Sequence, residues 1–204
     1  MRTLVPFDAA EPKTRLEPLL RARERETFAR TMLADVLAAV RAAGGEPLVV
    51  ATAAVECDAP VAVDERPLSE AVNDRLEPTT AVVMADLALA TPRTLRAFFG
   101  ASGDVVIAPG LGGGTNALVV RDPDFRTDFH GTSYLDHLRV AHDRGLSVRE
   151  CDATRLAVDV DVPADLADVL LRAEGDAPSW LRKVGVRLDR SSGRATAVRP
   201  GGRQ

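Results

Sequence analysis

Ala81-Val-Val-Met-Ala-Asp-Leu-Ala-Leu-Ala-Thr-Pro92 is the stretch on which the fold turns. Residues 81–85 form an unbroken apolar run of strand length, the pattern of a strand covered on both faces. Thr91 followed by Pro92 signals a helix start: a hydroxyl caps the first turn, and the proline's missing N–H leaves nothing unpaired at the first helical position. The helix so opened is expected to run through Phe99 and stop at Gly100. A buried strand, a polar loop residue and a helix make up the repeating unit of a parallel sheet with helices on both faces.

The same alternation continues in both directions. Toward the N-terminus, residues 3–7 read as a short apolar strand that enters a polar loop, residues 8–15. Ala29, Met32, Leu33, Val36, Leu37 and Val40 repeat at i, i+3, i+4 and i+7, one buried helix face, and Gly44-Gly45 stops it. Residues 48–52 and 61–64 follow as strands, and 68–76 as a short helix. Toward the C-terminus, strands 105–108 and 117–120 flank a loop at 109–116, and residues 133–144 form a helix ended by Gly145. Residues 147–151 and 157–160 read as strands, 163–172 as a helix, and 183–198 as a hairpin around Ser191-Ser192-Gly193. Residues 200–204 are expected to be a disordered tail. The pattern predicts a single α/β domain over residues 1–204: a mostly parallel sheet flanked by helices, with a C-terminal β-hairpin and the chemistry on loops at strand ends.

Composition narrows the function classes. A chain of 204 residues with 46% apolar content can bury a sizeable core. Aromatic residues are only 4%, which leaves few surfaces for stacking bases, and a net charge of −4 removes the positive field that a nucleic-acid backbone demands. No nucleic-acid partner is expected. Cys57 and Cys151 stand far apart with no His or Cys at metal-ligand spacing, so neither a disulfide framework nor a zinc site is indicated. The opening apolar stretch is too short for a signal peptide and no uncharged run reaches membrane-spanning length, so a cytoplasmic protein without a membrane partner is expected. Among 26 basic residues only Lys13 and Lys183 are lysines, a bias read as a GC-rich genome background.

Candidate chemistry lies in the loops. Asp86 follows the apolar strand directly, a usual place for a magnesium ligand beside nucleotide phosphates; the alternative is a turn or cap residue. In Asp159-Val-Asp161 the period of two puts both carboxylates on one side of an extended segment, where they complete a cation site with Asp86 or merely precede a helix. Gly110-Leu-Gly-Gly-Gly-Thr-Asn116 lets backbone N–H groups approach an anion, with Thr115 adding a hydroxyl, yet lacks the Lys-Ser or Lys-Thr of a P-loop. A plain hairpin connection is the competing reading. Gly131-Thr-Ser133 opens a helix whose N-terminus suits a carboxylate or phosphate, although Ser133 with Asp136 is also an ordinary capping box. His137, one turn inside, either reaches the same anion or sits on the solvated face. Lys13 and Arg15 bring two cations to the end of the first strand, suited to a triphosphate or to an ordinary charged surface. No Ser-His-Asp or Cys-His signature is visible.

Taken together, Lys13-Thr-Arg-Leu16, Leu68-Ser-Glu-Ala-Val-Asn73, Met84-Ala-Asp-Leu87, Gly112-Gly-Gly-Thr-Asn-Ala-Leu118, Ser133-Tyr-Leu-Asp-His137 and Asp159-Val-Asp161 resemble the 2-phospho-L-lactate guanylyltransferase family in order and spacing over nearly the whole chain. The resemblance implies a Rossmann-like nucleotidyltransferase fold, a homodimer, and condensation of 2-phospho-L-lactate with GTP in coenzyme F-420 biosynthesis. It further implies that Asp86, Asp159 and Asp161 hold Mg2+, that Thr115, Gly131 and Ser133 bind the phosphorylated acid, and that Lys13, Arg15 and Asn73 lie on the nucleotide side. Lys13, Arg15 and Asp86 would carry the catalysis. One departure is visible: where the family usually reads Asp-Leu-Pro, this chain reads Asp86-Leu87-Ala88. Competing readings are transfer to phosphoenolpyruvate or 3-phosphoglycerate, or a non-catalytic nucleotide-binding protein. Transfer to a molybdenum cofactor ranks below these, because residues 8–15 lack a glycine-rich loop.

Overall fold

The structure, a computed structural model, describes residues 1–191 and 193–200. Its main sheet has seven strands: β1 (Arg2–Phe7), β2 (Glu46–Ala51), β3 (Val61–Val63), β4 (Thr80–Val83), β5 (Val105–Pro109), β6 (Thr115–Val120) and β7 (Val148–Glu150). They lie in the order β3-β2-β1-β4-β6-β5-β7. β6 runs antiparallel to both neighbours, and the other pairs are parallel. A separate antiparallel pair joins β8 (Arg187–Asp189) to β9 (Thr196–Val198). The helices are α1 (Ala22–Ala42), α2 (Leu68–Asn73), α3 (Pro92–Phe99), α4 (Ser133–Asp143), α5 (Thr154–Ala157), α6 (Asp165–Arg172) and α7 (Ala177–Lys183).

Side chains alternate across the sheet as the period of two requires. Val5, Ala81, Val83, Val106 and Val119 pack against the buried stripe of α1 and against Leu95 and Phe98 of α3. Leu4, Val82, Ile107 and Leu118 pack on the other face with Val72 of α2 and Ala141 of α4. Each fully buried aliphatic side chain contributes about 1.5–3 kcal/mol, so both faces hold the sheet. The predicted cap of α3 forms, with the Thr94 N–H donating to Thr91 Oγ1 at 3.2 Å.

A third core lies beside the sheet. Leu16, Leu20, Phe28 and Met32 meet Ala88, Leu89, Val158 and Val160, together with the inner faces of α6 and α7. Phe28 stacks on Trp180 with ring centroids 5.4 Å apart, and Arg199 binds Glu24 through two hydrogen bonds.

This third core accounts for the differences from the sequence expectation over residues 157–186. Residues 157–160 do not form a strand: Ala157 ends α5, and Val158 and Val160 are buried without a neighbouring strand edge, the Val160 N–H donating to the Asp86 carbonyl instead. The hairpin does not begin at Lys183, which closes α7; its strands are β8 and β9, and Ser192 in its turn lies outside the described residues, as do residues 201–204 of the expected tail. α2 ends at Asn73, short of Leu76. Among the described residues no helix is long and apolar enough to cross a membrane.

Candidate active site

The strand order reverses at β1, whose neighbours are β2 on one side and β4 on the other. Ligands of open α/β sheets bind where the order reverses, beyond the carboxyl ends of the strands. A cleft of about 420 Å³ opens there, lined among others by Phe7, Lys13, Arg15, Met84, Asp86 and Asp161.

Lys13 is the hinge of this cleft. Its backbone sits in the left-handed region at φ 57°, uncommon for a residue with a side chain, and it opens a short 3-10 turn that ends on buried Leu16. Its ammonium lies 2.5 Å from Asp86 Oδ2 and 2.8 Å from Asp161 Oδ1. Burial alone would lower the lysine pKa, but the Asp86 and Asp161 charges outweigh it and hold the group above its ordinary value. In a chain that uses arginine almost everywhere, including Arg66 between Asp64 and Asp74, a compact ammonium stands between Asp86 and Asp161. Arg15 stands further out, 3.8 Å from Asp161 and largely exposed.

Three carboxylates meet here. Asp86 Oδ1 is buried without a hydrogen-bond partner. Burial raises the Asp159 pKa, and the neighbouring Asp86 and Asp161 charges raise it further, against a hydrogen bond from Asn116 Nδ2 at 3.2 Å. Among the described residues no group of three or more acidic, His or Cys side chains is arranged as a ready metal cage. Each acid is anchored by the third core: Ala88 and Leu89 follow Asp86, and Val158 and Val160 bracket Asp159. Ala88 explains the departure from Asp-Leu-Pro in part, because its N–H donates to the Asp86 carbonyl at 2.9 Å, a bond proline cannot make.

The glycine loop does connect two antiparallel strands, as the plainer reading had it, but it is pinned. The Gly110 N–H donates to the Gly114 carbonyl, the Leu111 N–H to Ala157 and the Tyr134 N–H to Gly113. A Cβ on Gly110 would lie 2.5 Å from Asn116 Oδ1. Asn116, a residue of the Gly-rich motif to which the sequence assigns no role, is buried and also donates to the Leu156 carbonyl. It joins the carboxylates to its neighbour Thr115.

Thr115 and Ser133 are brought together: the Thr115 N–H donates to Ser133 Oγ at 3.0 Å. No capping box forms, since Thr132 takes the N-cap position and Asp136 pairs with Arg139. Gly131 precedes this turn at φ 51°. His137 is not on the solvated face. It is fully buried, hydrogen-bonded to Thr115, and burial pushes its pKa down to about 4. Asn73 lies apart from the cleft lining; its amide clasps Thr127, accepting from the N–H and hydroxyl and donating to the carbonyl. Lys13, Arg15, Asp86 and Asp161 line the cleft, whereas Asp159, Thr115, Ser133 and Gly131 lie outside its lining; the candidate site thus has a charged half at the cleft, which Asp159 adjoins, and a neutral half beside it, with Thr115, Ser133 and Gly131.

The family described as "Guanylyl transferase CofC like" matches residues 1–199. The chain belongs to this family. Within it, proteins named 2-phospho-L-lactate guanylyltransferase are similar at high identity. The one from Haloferax volcanii is 59% identical over 203 residues, covering 98% of this chain and 98% of its own. The one from Halomicrobium mukohataei is 58% identical, covering 98% and 100%. Solved structures match the fold at low identity. A putative nucleotide-diphospho-sugar transferase from Desulfovibrio desulfuricans has a TM-score of 0.67 at 16% identity, covering 89% of this chain and 94% of its own. A nucleotidyl transferase from a Methanothermobacter species has a TM-score of 0.55 at 18%, covering 90% and 99%. As a member of the CofC-like family the protein is a nucleotidyltransferase, and the seven-stranded sheet is the nucleotidyltransferase sheet expected from the sequence.

Proposed function

We propose that the protein transfers the GMP part of GTP to 2-phospho-L-lactate, releasing pyrophosphate and giving lactyl-2-diphospho-5′-guanosine for coenzyme F-420 biosynthesis in the cytoplasm. The observation that carries this reading is the Lys13–Asp86–Asp161 cluster in the cleft, with Asp159 beside it bonded to Asn116, the chain neighbour of Thr115 in the Thr115–Ser133 pair. One half suits a triphosphate and the other a small phosphorylated acid.

The attacking atom is an oxygen of the acid's phosphate, which is largely ionised near pH 7, so no general base is needed. His137 is held neutral and fully engaged, consistent with a reaction that asks no side chain to take a proton. The barrier is the approach of two polyanions, and Lys13 with Arg15 lowers it by neutralising charge on the α-phosphate and the departing pyrophosphate. Asp86, Asp159 and Asp161 would hold magnesium. The partnerless buried Asp86 Oδ1 and the raised Asp159 pKa fit that role, because Lys13 pairs with only two of the three carboxylates and the remaining negative charge favours a cation. When bound, the ion would supply further charge neutralisation and alignment at the phosphates. Thr115, Ser133 and the Gly131 turn would bind the acid.

The test is pyrophosphate release from GTP with magnesium, offering 2-phospho-L-lactate, phosphoenolpyruvate and 3-phosphoglycerate in parallel and weighing products by mass spectrometry. Turnover is expected with 2-phospho-L-lactate. GTP binding without release from any acid would overturn the catalytic reading, and preference for another acid would overturn the acceptor.

A further inference from the structure

We propose that His137 is a positioning residue: by donating from Nδ1 to Thr115 Oγ1 it keeps the Thr115 hydroxyl proton free, a donor that selects an anionic acceptor. The inference rests on the reading above that Thr115 meets the phosphorylated acid.

The polarity of the hydrogen bonds follows from the chain's own contacts. The Asp128 N–H donates to His137 Nε2 at 2.9 Å. A backbone amide can only donate, so Nε2 carries no proton, and the single proton of the neutral ring lies on Nδ1. Nδ1 is 2.8 Å from Thr115 Oγ1, which must therefore accept. The hydroxyl's own proton points elsewhere. Ser133 receives the same treatment by another route, since its Oγ accepts the Thr115 N–H. Each of the two side-chain oxygens has a lone pair taken up by the protein and a proton left to give. Such a pair favours carboxylate and phosphate oxygens and disfavours a ligand that offers only donors.

The surroundings keep the arrangement in one state. His137 is enclosed by the rings of Phe125 and Phe129, with centroids 6.1 and 4.9 Å away. The negative charges of Asp128 and Asp136 favour protonation, but burial of the ring prevails. Asp128 is itself held by His130 Nδ1, which fixes the turn that presents its amide.

Two conservative variants separate the two bonds of the ring. In His137→Asn the amide nitrogen stands near the Nδ1 position and still donates to Thr115. In His137→Gln the side-chain end reaches toward the Nε2 position and keeps the Asp128 contact instead. Initial rates are measured at saturating GTP while the phosphorylated acid is varied. His137→Gln and Thr115→Val are each expected to raise KM for the acid about tenfold, with KM for GTP unchanged, whereas His137→Asn stays near wild type. In a Thr115→Val background, adding His137→Gln should cause no further loss, because the histidine acts through the hydroxyl. If His137→Gln is as damaging with Thr115→Val as without it, the histidine is only structural and the proposal fails. The same holds if His137→Asn is the worse of the pair. If Thr115→Val leaves KM for the acid unchanged, the acceptor-site reading beneath the proposal fails instead.

Discussion

The two halves of the site use opposite physics. Around Lys13 the groups are charged and partly open to solvent: Lys13 and Asp86 keep 13% and 22% of their side-chain surface, and Arg15 keeps 73%. Around Thr115 the groups are neutral and closed in, with Thr115, Ser133 and His137 all buried. Charge acts at a distance and tolerates imprecise geometry, so a flexible triphosphate suits the first half. Hydrogen bonds are directional and lose strength quickly with angle, so a small rigid acid suits the second. On the proposed function, the reaction's electrostatic work and its acceptor selectivity fall to separate parts of the chain, with Asn116 bonded to Asp159 on one side and next to Thr115 on the other.

The largest effect is expected from Asp86→Asn. It removes one of the two carboxylates on Lys13 and one of the proposed magnesium ligands, and turnover should fall by at least about a hundredfold. Circular dichroism and thermal melting should show the fold retained. Near-normal turnover would remove Asp86 from the charged half. Lys13→Arg comes next: a planar guanidinium does not fill the place of a compact ammonium between Asp86 and Asp161, so activity should drop by roughly a hundredfold, while Arg15→Lys loses less than about tenfold. Equal losses in the two variants would show that only net charge matters there.

The neutral half predicts a pH effect on stability. The folded His137 takes a proton only near pH 4, whereas the unfolded side chain does so near 6.5. The unfolded state therefore binds more protons between these values, and stability must fall as pH drops through that window. Urea unfolding should show a loss of about 2 kcal/mol between pH 7 and pH 5 that is missing from His137→Gln. An identical loss in the variant would mean that other groups carry it. The smallest effect is expected from Ala88→Pro. It forfeits the bond to the Asp86 carbonyl but restricts the unfolded chain, so the net change should lie within about 1 kcal/mol, read from the denaturation midpoint. A larger loss would show that the turn after Asp86 depends on that N–H.

Much of the sheet was legible because its signals are local. The run at Ala81 marked β4, the stripe from Ala29 to Val40 marked α1, and Thr91-Pro92 capped α3 as read. What escaped depends on distant partners. α7 is short and lacks a side-chain cap of its own; its first amides are bound by Asp35, which accepts from the Asp176 and Ala177 N–H groups 141 and 142 positions away. Val158 and Val160 alternate like a strand, yet no strand edge reaches them. His137 sits on a helix, and the groups that decide its proton, Asp128 and Thr115, come from a loop and from β6.

The sequence by itself determined the α/β class, the placement of most elements, and which loops hold the polar residues, since periodicity and capping act over one or two turns of chain. The tertiary structure alone decided that Lys13 meets Asp86 and Asp161 across 73 and 148 positions, that Asn73 holds Thr127, and that a buried histidine bonds the Thr115 hydroxyl. Strand order and the third core bring these groups together, and hydrogen bonds and charges respond to distance in space, which no spacing along the chain records.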